Sequence, residues 1–166
     1  MQLKYTSVRK VHEPTRGHAT DAGIDFYMPE LSKKDLDELV SKFYLHKSGK
    51  GFFIPLSSNV CIPSGIKVEI PYGYMGLFLN KSGMASKNSL VIGAQVIDTF
   101  YSGEIHIDLH NIGFEEIKIE PGQKLAQMVM VPILSCDLVK VEENQLYDWM
   151  KEKKLRGENG FGSTGK

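Results

Sequence analysis

Four short segments combine glycine with side chains that can bind phosphate or activate water. They are DAGID (21–25), NKSGMAS (80–86), VIDTFYSGE (96–104) and PGQKLAQ (121–127). In NKSGMAS, backbone N–H groups, a hydroxyl and an ammonium lie side by side, and together these groups complement phosphate oxygens. A glycine beside serine or lysine also forms an ordinary turn. Taken alone, each segment is therefore open between an anion site and a turn.

Asp98 is the candidate for acid–base chemistry. It follows the apolar pair Val96 and Ile97 and precedes Tyr101 and the turn at 102–103. A carboxylate at the mouth of a hairpin can act as a general base or can simply form a solvated turn, and the residues alone favour the turn. The sequence has no Walker A loop, nucleophile elbow or zinc-type Cys/His spacing, so covalent catalysis is not indicated.

A second polar group lies on one predicted strand. Glu104, His106, Asp108 and His110 alternate with apolar residues and therefore share a face. A His-x-Asp-x-His face could hold a metal ion. The alternative is the polar face of a half-exposed strand or a subunit surface. This alternative is favoured because the spacing supplies no fourth ligand.

Composition and charge limit the function classes. The chain has 166 residues, of which 42% are hydrophobic and 24% charged, as suits one soluble domain. Its 20 basic and 20 acidic residues cancel, so no overall attraction to nucleic acid or a membrane follows. Cys61 and Cys136 make no metal-spaced pair, and no signal peptide or membrane-length apolar run is visible. We expect a reduced, cytoplasmic protein that binds any anion through local geometry.

Short alternating segments predict an all-β fold. Residues 66–70, 104–110 and 117–119 alternate apolar and polar side chains, and turn sequences separate them. The run LAQMVMVPI (125–133) indicates a strand buried on both faces. This pattern is typical of a sandwich, a barrel or a jelly roll.

Two stretches depart from that pattern and predict helices. In LSKKDLDELVSKFYL (31–45), apolar residues recur at i, i+3, i+4 and i+7 from Leu36, and Ser32 can cap the first turn. NQLYDWMKEKKL (144–155) has a weaker apolar face.

The glycine-containing segments occur in an order that resembles the trimeric dUTP diphosphatases (dUTPases). HATDAGIDFYMP (18–29), NKSGMASK (80–87) and GAQVIDTFYSGEI (93–105) resemble the first three motifs of that family. PGQKLAQM (121–128) resembles the fourth, and RGENGFGSTG (156–165) matches the fifth almost residue for residue.

The resemblance implies an architecture and an assembly. The family fold is a jelly-roll-like β-clip, here with one or two short helices. Residues 1–155 would form a single β domain with a helical insertion at 31–52, and residues 156–166 would form a flexible lid. Family members are homotrimers whose shared active sites draw on all three chains, so the lid would close over a neighbour's site.

The resemblance also implies a reaction. Asp98 would activate a water that attacks the α-phosphorus of dUTP in line, giving dUMP and pyrophosphate. This reaction keeps uracil out of DNA and supplies dUMP for thymidylate synthesis. Mg²⁺ would clamp the triphosphate, and Asp25 would hold that ion through water.

Substrate contacts carry over by position. They would come from Lys81, Ser82, Gly83, Val96, Ile97, Tyr101, His106, Gln127, Arg156, Phe161, Gly162, Ser163 and Thr164. Within this set, Tyr101 would pack on the deoxyribose and reject a 2′-hydroxyl, and the His106 main chain would help to read the uracil. Phe161 would stack on the base, and Arg156 would meet the γ-phosphate.

Three departures and two alternatives accompany the resemblance. Lys81 and Lys124 replace family arginines, which removes bidentate phosphate contacts, and Gln95 replaces a glycine of the uracil hairpin. A dCTP deaminase shares the fold and carries a glutamate where Asp108 stands here. A nucleotide-responsive regulatory protein on the same scaffold could use residues 31–52 as a partner surface, although a structural role for that insertion is favoured.

Overall fold

The computed structural model describes residues 2–147. The chain divides into two compact units, Met1–Leu134 and Ser135–Lys166, whereas the sequence interpretation placed one domain at 1–155. The described part of the second unit contains a 3₁₀ turn at Glu143–Gln145. The predicted lid at 156–166 lies outside the described residues, as does most of the second predicted helix. Between residues 2 and 147, no helix is long and apolar enough to cross a membrane.

The first unit is built from short strands, as predicted, together with two short helices. Its helices are α1 (Lys33–Phe43) and α2 (Ser82–Asn88). Its strands are β1 (Lys4–Ser7), β2 (Ile24–Tyr27), β3 (His46–Ser48), β4 (Gly51–Ile54), β5 (Asn59–Pro63), β6 (Ile66–Glu69), β7 (Tyr74–Asn80), β8 (Leu90–Ile92), β9 (Val96–Ile97), β10 (His106–Asn111), β11 (Ile117–Ile119) and β12 (Lys124–Pro132).

The strands form small antiparallel sheets. A four-stranded sheet has the order β2-β12-β7-β9, and three-stranded sheets have the orders β5-β10-β8 and β11-β4-β3. A two-stranded sheet joins β1 to β6. The predicted period-two segments coincide with β6, β10 and β11, and the long apolar run is β12. The mostly β fold predicted from alternation is thereby confirmed.

One apolar core fills the first unit. In β6, Ile66 and Val68 are buried while the side chains between and after them are exposed, as alternation requires. Phe26 of β2 packs edge-on against Phe78 of β7, with ring centroids 5.0 Å apart. This contact fixes the two strands on which the first and second motifs lie.

Helix α1 begins and ends for local reasons. The Ser32 hydroxyl accepts a hydrogen bond from the Asp35 N–H at 3.0 Å, and Tyr44 ends the helix with a φ of 54°. Leu36 and Leu39 are buried. The cap and the apolar spacing confirm this predicted helix.

The insertion at 31–52 is only partly helical, which corrects the sequence interpretation. After α1 the chain forms the β3–β4 hairpin, in which Gly49 has a φ of 60°. Phe52 of β4 is completely buried, and β4 pairs with β11. The hairpin is therefore part of the core, because β4 carries a run of apolar residues of which Phe52 and Ile54 are completely buried, whereas β3 is polar and mostly exposed.

Helix α2 was not predicted. The residues of NKSGMAS alone are open between a turn and an anion site, but Ser82–Asn88 is helical, and its Met84 is buried. A helix of seven residues that contains glycine is too short to show an apolar stripe. Tertiary packing of Met84 stabilises it instead.

Candidate active site

The four-stranded sheet brings three of the glycine-containing segments together. β2 carries Asp25, β7 runs into Lys81, and β12 carries Lys124 and Gln127. Gln127 lies opposite Asp25 on one side and Leu79 on the other. Residues far apart in the chain therefore meet at one end of this sheet.

Asp25 is the centre of a charged trio with Lys81 and Lys124. Its side chain is 3% exposed, and its carboxylate accepts hydrogen bonds from Lys81 Nζ at 2.6 Å and Lys124 Nζ at 2.7 Å. Burial raises the pKa of Asp25, but the two ammonium groups outweigh burial and the pKa is lowered. The carboxylate is therefore ionised at neutral pH, and the trio carries a net positive charge.

The trio gives a structural account of the two lysine replacements. A lysine ammonium is a flexible point charge, whereas an arginine guanidinium has a fixed fork. Here Asp25 holds both ammonium groups at the end of the sheet, and Lys124 Nζ also lies 5.8 Å from the centre of the Tyr27 ring. Lys124 was recognised in the sequence only as a departure, and its contact with Asp25 makes it a candidate site residue. The sequence signal that could have identified Lys124 as a site residue is that it stands where the family has an arginine.

Gln127 is fixed against the first and second motifs. Its Nε2 donates to the main-chain oxygen of Asn80 at 2.9 Å. A Cβ at Gly23 would collide with the Gln127 amide in this orientation, so the glycine permits the close approach of Gln127 of β12 to the first motif. The amide oxygen of Gln127 faces that glycine.

Ser82 and Gly83 form the first turn of α2, with Lys81 at its N-cap. The first N–H groups of a helix have no partner within the helix. Among residues 2–147, a Cβ at Gly83 would meet no atom within 4 Å. Packing within this part of the chain therefore does not explain the glycine, although close approach of a ligand would.

A second group of predicted residues lies around β9. Asp98 is exposed, and Val96 and Tyr101 are 54% and 44% exposed. The Tyr101 N–H donates to the Asp98 main-chain oxygen at 3.3 Å, and the Thr99 hydroxyl donates to the Tyr74 oxygen at 2.7 Å. These bonds fix the turn and leave the Asp98 carboxylate accessible to water.

The strand that carries Val96 and Ile97 is not paired with the strand that carries His106. β9 pairs with β7, while β10 pairs with β5 and β8. Across the part of the chain that the structure describes, no ladder joins Val96 and Ile97 to His106. The hairpin, defined as residues 96–106, therefore has two arms that belong to different sheets.

The two groups of candidate residues lie at opposite ends of β7. Ile97 pairs with Gly76, and continuing that register brings Asp98 level with Met75. Lys81 lies about six residues further along, a distance of roughly 20 Å at 3.3 Å per residue. One subunit therefore does not bring its own Asp98 to its own trio.

The face of His106, Asp108 and His110 is structural. The Asp108 carboxylate accepts from the Ala94 N–H at 3.2 Å and lies 2.9 Å from His110 Nε2. The His106 ring contacts the Glu104 main-chain oxygen instead. Between residues 2 and 147, no group of three or more His, Cys, Asp or Glu side chains could hold a metal ion. The polar-face interpretation accounts for these contacts.

Comparison with known proteins decides the family. The dUTPase family model matches residues 46–165. This chain belongs to the dUTPase family. The predicted family and enzyme class are thereby confirmed. The match begins at residue 46, after α1.

Relatives of this dUTPase family member cover most of its length. It is 34% identical to the deoxyuridine 5′-triphosphate nucleotidohydrolase of Clostridium novyi over 92% of this chain and 89% of that protein. It spans about half (48%) of the length of a probable deoxyuridine 5′-triphosphate nucleotidohydrolase from Invertebrate iridescent virus 6, at 26% identity over 99% of this chain.

Solved dUTPase structures share the fold. A mutant of the Staphylococcus bacteriophage 80alpha dUTPase with dUpNHpp superposes with a TM-score of 0.75 at 28% identity, covering 99% of this chain and 98% of that one. A mutant dUTPase from phage phi11 of S. aureus, described with a structural Mg(II) ion, gives a TM-score of 0.69 at 26% identity, with 86% and 98% covered.

Five predicted substrate residues of this dUTPase family member lie outside the described residues. They are Arg156, Phe161, Gly162, Ser163 and Thr164. The matched family region extends to residue 165 and so includes them. Their assigned roles stay predictions.

Proposed function

We propose that this chain hydrolyses dUTP to dUMP and pyrophosphate. The observation that carries the proposal is the occurrence of a positively charged trio around buried Asp25 at one end of β7 and of the exposed Asp98 and Tyr101 at the other. The first suits a triphosphate, and the second suits a sugar and an attacking water. Both occur within the motif order of the dUTPase family.

Asp98 is the proposed general base. Its exposed carboxylate accepts a proton from a water whose oxygen forms a bond to the α-phosphorus. The bond from that phosphorus to the bridging oxygen of the β-phosphate breaks, and pyrophosphate leaves. Lys81, Ser82 and Gly83 bind phosphate oxygens, with the Gln127 amide beside them.

The hairpin at 96–106 is the proposed base and sugar site. Main-chain groups of Val96, Ile97 and His106 can imitate the pairing edge of adenine, because no ladder in the described residues joins these strands. The Tyr101 ring then lies against the deoxyribose. A ring in that position leaves no room for a 2′-hydroxyl, which excludes ribonucleotides.

The trio could hold Mg²⁺ only through water bound to Asp25. The trio contains a single carboxylate, and both of its oxygens are bonded to ammonium groups. Mg²⁺ in nucleotide sites typically keeps several waters and binds substrate phosphates with one or two carboxylates, so Asp25 would hold it through water. When bound, the ion would neutralise the triphosphate and orient it for in-line attack.

The separation along β7 supports a site shared between subunits. Asp98 of one subunit and the trio of another can face one substrate, whereas both groups of one chain lie roughly 20 Å apart. A closed homotrimer with three such sites satisfies this geometry. The segment 156–166 would then act as the lid, excluding bulk water.

The decisive experiment offers dUTP, dTTP, dCTP and UTP to the full chain and measures pyrophosphate and ammonia. We expect pyrophosphate from dUTP and a large preference over the other nucleotides. Asp98→Asn should bind dUTP and lose most turnover, because an amide does not accept the proton. Wild-type hydrolysis by that variant contradicts the assignment of Asp98.

The deaminase alternative is not favoured. Asp108, at the place of the deaminase glutamate, holds the Ala94 N–H and pairs with His110, and its side chain is only 18% exposed. Its carboxylate therefore stabilises the turn before β9 by accepting the Ala94 N–H. Ammonia release from dCTP would contradict this interpretation.

A further inference from the structure

Arg9 links the insertion helix to the hairpin at 96–106. Its Nε and Nη2 donate to the two carboxylate oxygens of Glu104 at 2.8 and 3.1 Å. Its Nη1 donates to Asp35 of α1 at 2.7 Å. The Arg9 and Glu104 side chains are 27% and 15% exposed, so this fork is better shielded than a surface ion pair.

Glu104 in turn fixes the Tyr101 ring. The Tyr101 hydroxyl donates to the Glu104 main-chain oxygen at 2.8 Å. The Glu104 carboxylate also accepts from the Gly65 N–H at 2.7 Å, so the residue is held from both sides. The carbonyl oxygen that accepts from Tyr101 therefore belongs to a residue whose side chain is fixed by Arg9 and Gly65.

Gly103 permits this arrangement. A Cβ at that position would lie 2.6 Å from the Tyr101 Cζ, which is closer than side-chain atoms approach in real structures. The tyrosine ring therefore folds back over the glycine to reach Glu104. Little freedom remains for the ring once Glu104 is fixed.

Asp35 connects this chain of contacts to the insertion. It lies in the first turn of α1, where its N–H is held by the Ser32 cap. Its carboxylate balances the second side of the Arg9 guanidinium. The helix thus supplies the Asp35 carboxylate, which holds Arg9 in the orientation that donates to Glu104.

We propose that Arg9 and Asp35 are positioning residues for substrate selection: through Glu104 they fix Tyr101, so the insertion helix sets the discrimination between deoxyribose and ribose. The inference rests on the proposed dUTP hydrolysis. It gives α1 a role inside its own subunit. Both residues act on selectivity only through Glu104 and Tyr101, so their removal should change the preference between dUTP and UTP.

The test compares steady-state kinetics of the full chain on dUTP and UTP. We expect Arg9→Gln to reduce the ratio of kcat/KM for dUTP over UTP by about ten- to a hundredfold, because small misplacements of a positioning group have effects of that size. Arg9→Lys, which keeps the charge, should recover part of the ratio. Asp35→Asn should have a smaller effect in the same direction, and the double variant should lose less than the two losses combined.

Lys10→Gln is the matched control. It makes the same kind of change at the next residue, where the ammonium pairs with Glu30 at the surface and the Lys10 side chain is 80% exposed. Its selectivity should equal that of the wild type. If Arg9→Gln does not fold, Glu104→Gln, which preserves shape, takes its place in the comparison.

The outcomes separate the two proposals. A wild-type chain that does not hydrolyse dUTP overturns the proposed function and this inference with it. A wild-type chain that prefers dUTP, with folded Arg9→Gln or Glu104→Gln variants within about twofold of its selectivity, overturns the inference alone. A lowered ratio with partial recovery in Arg9→Lys supports it, because a merely structural role would lower both substrates equally.

Discussion

Replacing Asp25 by asparagine tests whether the charged trio holds the end of the four-stranded sheet together. The substitution keeps the size of the side chain and removes its charge. Asp25 is 3% exposed and bonds to two ammonium groups, at 2.6 and 2.7 Å. An amide left between two cations can accept from only one of them well, because it has one carbonyl oxygen.

The expected loss of stability follows from the exposure of each partner. Lys81 is 26% exposed, and a hydrogen bond to a charged group at such a site contributes about 1.5–3 kcal/mol. Lys124 is 45% exposed, so solvent screening reduces its share to about 1 kcal/mol or less. Allowing for one weaker bond to the amide, the free energy of unfolding should fall by about 2–3 kcal/mol. For a chain of this length, Tm should fall by about 5–10 °C.

The assay is thermal unfolding at equal protein concentration, because an oligomer's Tm depends on concentration. Glu69→Gln is the matched control, since Glu69 pairs with Lys4 at 3.2 Å while the side chains are 67% and 71% exposed. That variant should lose less than about 0.5 kcal/mol. An Asp25→Asn variant with wild-type Tm, or with no greater loss than Glu69→Gln, refutes the account of the trio.

The same contribution has a defined pH dependence. The pKa of Asp25 is lowered from its ordinary value of 3.8 in the folded chain. A lowered folded pKa gives stability that is fully present above the unfolded value and is lost as pH falls through the folded value. The difference in stability between wild type and Asp25→Asn should therefore be constant near neutral pH and shrink below about pH 3.8.

Two further outcomes are expected. Gly83→Ala should leave Tm unchanged or slightly raised, since the site is open among the described residues and alanine favours helix. It should nevertheless raise KM for dUTP, because a methyl group then faces the phosphates. An unchanged KM would contradict the assignment of Gly83 to the phosphate site. Cys136 should react with a thiol reagent well before Cys61, because Cys136 is exposed whereas burial, and then the charge of Asp108, raise the pKa of Cys61. Equal rates for the two thiols near pH 8 would contradict that difference.

Sequence patterns predicted the helices and strands that are stabilised by residues close to one another in the chain. Helix α1 shows both a cap and an apolar stripe within 11 residues, and β6 alternates cleanly, so both were predictable. Helix α2 is too short to show an apolar stripe, and the β3–β4 hairpin, which turns at Gly49, was not recognised in the sequence. Both of these elements depend on burial against distant strands.

The charged trio and the Arg9–Glu104 ion pair, which sequence reasoning missed, are long-range contacts. Lys81 and Asp25 are 56 residues apart, and Arg9 and Glu104 are 95 apart. The charge of each residue makes it a candidate for an ion pair. Which residue is its partner, however, depends on the register of the sheets. The resemblance supplied the motif residues, whereas Arg9 lies outside every motif and had no such signal.

The trio also explains how a site can use lysines where the family has arginines. An arginine fork is rigid by itself, whereas a lysine needs an external anchor to present its charge in one direction. Buried Asp25 supplies that anchor for Lys81 and Lys124 at once. One carboxylate between two ammonium groups leaves a net positive charge, so the anchor does not cancel the attraction for a triphosphate. A phosphate that displaces Asp25 from either ammonium would exchange one charge-assisted bond for another, and so the anchor opposes binding only weakly.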